Sequence, residues 1–152
     1  MPARFASTSP EMTQAWAREL AAGLQAPVVI ALIGNLGAGK TQVAKGIAAG
    51  LGLTAAITSP TFTLINEYPL PNGGVLYHVD CYRLQEAERE ARQLGLEELF
   101  DLGIVLIEWA DRIPTLLPAA RIDIYLSDAG PGRRDIELHD LRAQPLPSPA
   151  AV

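Results

Sequence analysis

The chain has 152 residues, 49% hydrophobic and 19% charged, with a formal net charge of −5 and no stretch where Lys and Arg concentrate. These values fit one soluble domain with a real core. They argue against a protein that grips RNA or DNA by itself, because phosphate neutralisation supplies most of such affinity. The single cysteine, Cys81, excludes an internal disulfide, and one Cys with two His leaves no zinc cluster of standard spacing. The longest apolar run, residues 28–33, is too short to cross a bilayer. Met1-Pro2-Ala3-Arg4-Phe5 lacks the apolar centre of a signal peptide. The expectation is a cytoplasmic protein with no membrane partner.

In chain order, Ser9-Pro10-Glu11 combines an N-cap, a first-turn proline and an early acid, so a helix is predicted to start there and end near Gly23. Residues 28–33 read as a buried strand that feeds the glycine-rich stretch "GNLGAGKT" (34–41). A helix follows from Lys40, with Val43, Ile47 and Leu51 on one face, ended by Gly50-Leu51-Gly52. Residues 61–68 and 75–80 are rich in β-branched and aromatic side chains, and Asn72-Gly73-Gly74 between them suggests a hairpin. A charged helix is predicted over 85–93, with Glu88 and Arg92 as an exposed pair, then a short helix over 96–100. Residues 104–107 form a second continuous apolar strand. Residues 121–127 and 134–139 alternate around a Gly-Pro-Gly turn and read as a closing hairpin. The fold class expected is α/β: a single P-loop NTPase domain, residues 1–142, with a mixed sheet that includes antiparallel hairpins. Residues 143–152 form a proline-rich tail expected to be disordered.

The strand, glycine turn and helix give "GNLGAGKT" the context of a phosphate-binding loop. Glycines let backbone N–H groups turn inward around phosphate oxygens, and the helix start adds a favourable dipole. Lys40 is expected to reach the β- and γ-phosphates, and the Thr41 hydroxyl to bind Mg²⁺. Mg²⁺ needs hard oxygen ligands, and Glu108 at the end of "IVLIEW" stands where such loops usually find their second acid. Asp80 ends the strand "VLYHVD", where it either acts in catalysis or caps the next helix. Trp109 is core or a neighbour of the metal site. Cys81 is read as a small packed residue, and His78 as structural, through a hydrogen bond inside the sheet.

Four segments, "GNLGAGKT", "SPTFTLINEY", "HVDCYRL" and "IEWADR", in this order, resemble the bacterial TsaE family, also called YjeE, over about residues 9–137. The loop is shared by many unrelated proteins, whereas the other three segments are far more specific. The resemblance implies a P-loop α/β domain with extra antiparallel strands that binds ATP with Mg²⁺ and hydrolyses it slowly. It implies two partners, a transferase of the Kae1/TsaD type and its paralogue TsaB, which together make threonylcarbamoyladenosine beside the anticodon of tRNA. Contact with tRNA only through that complex would explain an acidic chain without a basic patch.

Residue by residue, the resemblance carries phosphate contacts onto Asn35, Leu36, Gly37, Ala38, Gly39 and Lys40. Gln42 would reach the α-phosphate with an amide, where the family commonly has a hydroxyl. Thr41 and Glu108 fall at the Mg²⁺ ligands, and Lys40, Asp80 and Glu108 at the catalytic positions. Thr61 lies in a segment that resembles a switch facing the γ-phosphate. Arg133 in "PGRRD" resembles a late arginine near the nucleotide, with Arg134 fitting almost as well. The helix entry from Glu11 to Thr13 would border the adenine. The chain departs from the family at Val79 and Cys81, and it lacks a proline after Trp109.

Two other readings share the loop. A small-molecule kinase would need an arginine-rich lid, for which Arg89 and Arg92 are the available side chains. A non-hydrolysing nucleotide switch would control complex assembly without catalysis, and both Asp80 and Glu108 being present argues against it. A GTPase is disfavoured because no Asn-Lys-x-Asp-type motif follows Glu108.

Overall fold

The computed structural model describes residues 3–35, 37, 39–54, 57–58 and 64–145. Leu36, Ala38, Thr61 and the tail from residue 146 lie outside the described residues.

Seven strands form one mixed sheet: β1 (Ala3–Ser7), β2 (Val28–Gly34), β3 (Ile65–Pro69), β4 (Val75–Asp80), β5 (Ile104–Glu108), β6 (Ile122–Asp128) and β7 (Arg134–Asp140). Their order is β1-β7-β6-β2-β5-β4-β3. The central strands β6, β2, β5 and β4 run parallel, β3 and β7 pair antiparallel at their two sides, and edge strand β1 pairs antiparallel with β7. The single mixed α/β domain expected from the sequence is therefore the one observed. Near-continuous apolar runs in β2 and β5 follow from burial on both faces.

Helices α1 (Pro10–Ala22) and α2 (Lys40–Gly50) cover one face of the sheet. The Ser9 hydroxyl caps α1 by accepting from the Met12 N–H at 3.1 Å. The two helices approach closely through Gly46 and Gly50. A Cβ on Gly46 would lie 2.4 Å from the Gln14 carbonyl oxygen, and one on Gly50 2.4 Å from that of Arg18. The other face is covered by α3 (Ala87–Gln93), α4 (Leu96–Leu99) and a short 3-10 turn, Ala110–Arg112.

Element existence follows the sequence reading closely, with three differences. Strand β1 was not expected, and it pairs antiparallel with β7 at the sheet edge. Helix α3 starts at Ala87, not residue 85, because the Glu90 carboxylate accepts the backbone N–H groups of Gln85 and Glu86. The Glu88–Arg92 pair is replaced by other partners: Glu88 accepts from the Thr115 backbone and hydroxyl, and Arg92 faces Glu97.

Candidate functional site

Parallel pairing brings three strand ends to one edge of the sheet. Leu32 registers with Glu108, and Glu108 with Asp80, so the loop after β2 emerges beside both acids. Open α/β sheets bind ligands at such carboxyl ends. In the loop, Gly37 and Gly39 have φ of 81° and 102°, a left-handed region that a Cβ would oppose. Among the described residues no side chain caps the start of α2, and the Gln42 N–H turns to the Gly39 carbonyl at 3.0 Å.

The Lys40 side chain is buried, 6% exposed, and folds back onto its own loop. Its ammonium donates to the Gly34 carbonyl at 2.5 Å and the Asn35 carbonyl at 2.8 Å. It also sits 4.1 Å from the centre of the Trp109 ring, a cation–π contact. Burial lowers the Lys40 pKa, and the negative charges of Glu108, Asp111 and Asp80 oppose that shift. Trp109 has φ 59°, and it is the one non-glycine residue with positive φ among the described residues. For a bulky residue this conformation costs on the order of 1–3 kcal/mol and persists only where neighbours enforce it. Tyr82 supplies one such neighbour, its ring 4.9 Å from that of Trp109. Arg112 holds the turn beneath Tyr82 by donating to the carbonyls of Cys81 and Tyr82.

Glu108 is 5% exposed and accepts a 2.6 Å hydrogen bond at Oε2 from His78 Nε2. His78 thus has the hydrogen bond inside the sheet that its sequence position suggested, and the partner is the proposed metal ligand. Asp80 accepts the Tyr82 N–H at Oδ1, 2.9 Å, so it caps the turn after β4 and not helix α3.

These groups face a cavity of about 470 Å³, a size that accommodates a small organic ligand. Gly37, Gly39, Lys40, Thr41 and Gln42 form its floor, and Asp80, Tyr82, Glu108 and Trp109 one wall. The opposite wall is Ser9, Pro10 and Thr13 from the start of α1, with Gly132 and Arg134 from the β6–β7 turn. Pairing of β1 with β7 is what brings these two ends of the chain together. Gln42 Oε1 accepts from Gln14 Nε2 at 2.6 Å, which ties the floor to α1.

Of the expected site residues, Lys40, Thr41, Gln42, Asp80 and Glu108 converge on this cavity with the two described loop glycines. Asn35 contributes its carbonyl to Lys40. Glu11 is exposed and lies off the cavity, whereas Thr13 two residues later lines it. Of the two late arginines, Arg134 lines the cavity and Arg133 is exposed on the turn. Ser9, Pro10, Tyr82 and Gly132 were not singled out from the sequence. Only the helix-start signal at Ser9-Pro10 hinted at the first two.

Cys81 is fully buried, and burial, helped by the negative charge of Asp80, pushes its thiol pKa up to about 12. Roughly one thiol in ten thousand is then ionised at pH 8. Native protein is expected to resist iodoacetamide at that pH, and urea-unfolded protein to be alkylated within minutes, as mass spectrometry would show. Rapid labelling of the native chain would contradict this burial.

Chemically, the cavity offers a cation and free helix N–H groups for phosphates, with two carboxylates and a hydroxyl beside them. Among the described residues, no three His, Cys, Asp or Glu side chains converge as a metal cage. The carboxylates of Asp80 and Glu108 and the Thr41 hydroxyl are hard oxygens, the donor type that Mg²⁺ takes.

A family model described as "Threonylcarbamoyl adenosine biosynthesis protein TsaE" matches residues 7–136. The chain is 44% identical over 136 residues to the tRNA threonylcarbamoyladenosine biosynthesis protein TsaE of Bacillus subtilis, covering 88% of this chain and 82% of the relative. It is 38% identical over 135 residues to the protein of the same name from Treponema pallidum, covering 88% and 97% of the two chains. Among solved structures, the crystal structure of Bacillus subtilis YdiB superposes with a TM-score of 0.75 at 38% identity, over 93% of this chain and 86% of that one. Among the described residues, no helix is long and apolar enough to cross a membrane. Loop, strand-end acids and matched length agree: the chain belongs to the TsaE family.

Proposed function

We propose that this protein is a Mg²⁺-dependent ATPase required for threonylcarbamoyl modification of the adenosine next to the anticodon in tRNA. It acts with a transferase of the Kae1/TsaD type and the paralogue TsaB, and meets tRNA only through that complex. The observation that carries the reading is the convergence of Lys40, the uncapped start of α2, Thr41, Asp80 and Glu108 on one cavity. The names of the relatives supply the biological setting.

In this reading Lys40 leaves the Gly34 and Asn35 carbonyls and takes the β- and γ-phosphates, while loop N–H groups hold the remaining oxygens. Thr41 and Glu108 would hold Mg²⁺, which would supply Lewis-acid stabilisation of phosphate charge. Asp80 lines the cavity with its Oδ1 fixed by the Tyr82 N–H, which would suit it to orient the attacking water. The Ser9–Thr13 segment and Arg134 border the remainder of the nucleotide. Arg134 packs its Cγ against the loop near Gly39, but its guanidinium donates to Asp128 and the Arg133 carbonyl and is not committed to phosphate, so turnover without partners is expected to be slow. The kinase alternative loses its lid, because Arg89 and Arg92 pair with Glu86 and Glu97 on the exposed side of the molecule.

The test is reconstitution with the two partners, tRNA, threonylcarbamoyl-adenylate and ATP with Mg²⁺, counting modified adenosines per transferase. Repeated turnover is expected with the wild-type chain and not with Lys40→Ala or Glu108→Gln. Full turnover without the protein, or with both variants, would overturn the reading. Turnover that survives Glu108→Gln but not Lys40→Ala would favour a non-hydrolysing switch.

A further inference from the structure

The buried pair His78–Glu108 spans β4 and β5. Along β4, alternation puts Leu76, His78 and Asp80 on the face that α1 and α2 cover, opposite Ile104, Leu106 and Glu108. His78 therefore lies one layer below Asp80 and Glu108, between the acids and the hydrophobic core. Its ring is 2% exposed and the Glu108 side chain 6%. A bare Nε2 and a carboxylate oxygen at 2.6 Å would set two lone pairs against each other, so Nε2 carries the hydrogen and donates. The buried Nδ1 has no hydrogen-bond partner among the described residues. An imidazole is an expensive group to bury there with half its polar capacity unused, when leucine would fill the layer. Among the described residues, the hydrogen bond to Glu108 is the one polar contact that offsets it.

We propose that His78 is a positioning residue: it fixes one oxygen of Glu108 and so presents the other, at a set angle, to Mg²⁺ in the cavity. A glutamate has three side-chain torsions, and an unanchored one spends most of its time in rotamers that do not face the metal. Outer partners of this kind hold metal-ligating groups in place, and removing one typically weakens metal affinity about 10–100-fold. The inference rests on Glu108 being a metal ligand, as in the proposed function.

The test compares the wild-type chain with His78→Leu, His78→Gln, His78→Asn and Glu108→Gln. Glutamine places an amide N–H near the position of Nε2 and so keeps the donor to Glu108. Leucine keeps the volume without the donor, and asparagine is too short to reach Oε2. Three quantities are measured: the melting temperature, ADP affinity in EDTA by calorimetry, and Mn²⁺ affinity in the presence of ADP by electron paramagnetic resonance. His78→Leu is expected to weaken Mn²⁺ about tenfold or more and to leave metal-free ADP affinity within about twofold, with His78→Gln restoring most of the loss.

Unchanged Mn²⁺ affinity in folded His78→Leu would overturn the proposal. Should that variant fail to fold, the glutamine–asparagine pair decides: equal Mn²⁺ affinity in the two would overturn it, and a loss confined to asparagine would support it. The two levels of the reading separate cleanly. Mn²⁺ binding that Glu108→Gln leaves untouched would overturn the metal role of Glu108, and this inference with it. Binding that Glu108→Gln weakens and His78→Leu does not would overturn this inference alone.

Discussion

Gly46→Ala is expected to lower the melting temperature by about 4–8 °C, the shift that a loss of about 2 kcal/mol gives a domain of this size. On helix propensity alone the change should stabilise by about 1 kcal/mol. It does the opposite because the new Cβ would meet the Gln14 carbonyl oxygen at 2.4 Å and the Ala17 Cβ at 2.6 Å. Neither is the far end of a flexible side chain, so α1 itself must move, and overpacking of this kind costs about 1–3 kcal/mol or more. The displaced helix carries Ser9, Pro10 and Thr13, so nucleotide affinity should fall with stability. Gly50→Ala meets the Arg18 carbonyl in the same way, and the double variant should lose less than the sum, since one separation of α1 relieves both. Differential scanning fluorimetry with and without ADP measures all of this. A rise in melting temperature for Gly46→Ala would show that the helices do not cross this tightly.

Lys40→Ala is expected to act on chemistry with little effect on the fold. Removing a charged phosphate contact should weaken ATP by about 10–100-fold, from about 1.5–3 kcal/mol for a charge-assisted hydrogen bond. Turnover should fall by a further factor of about 10²–10³, the usual consequence of deleting a donor aimed at developing charge. Stability should change little, because two effects oppose. The Gly34 and Asn35 carbonyls and the Trp109 ring lose their cation, while a buried ammonium, its pKa lowered by that burial, is no longer desolvated. Single-turnover hydrolysis and calorimetric ATP binding, beside a thermal melt, measure the three quantities. Loss of binding with a collapsed melt would mean that Lys40 is chiefly structural.

What the sequence revealed and what it concealed divide along physical lines. Residues 34–41 were legible because the loop's function depends on local spacing, and the strand and helix around it have strong periods of their own. Asp80 and Glu108 were legible as strand ends. Strand β1 was not, since Phe5 is its only large apolar residue and its pairing partner, β7, lies about 130 positions away. The choice between Arg133 and Arg134 was equally closed, because Arg133 ends the turn and Arg134 begins β7, a boundary set by pairing with β6. The His78–Glu108 contact needed the register of β4 against β5, which no pattern within either strand encodes. The strained backbone of Trp109 is likewise imposed by its neighbours and leaves no mark in composition.

The two walls of the cavity have a consequence for synthesis on the ribosome. Ser9 and Pro10 emerge among the first residues, and Gly132 and Arg134 more than 120 positions later. A nascent chain can assemble the glycine loop, both acids and the parallel centre of the sheet while the cavity still lacks its last lining residues. Closure waits for β7 to insert between β6 and β1, a long-range pairing of the slow kind. Until then, α1 has the sheet edge beside it unformed. On the proposed function, nucleotide affinity would be a late checkpoint of folding, complete only when the distant ends of the chain have met.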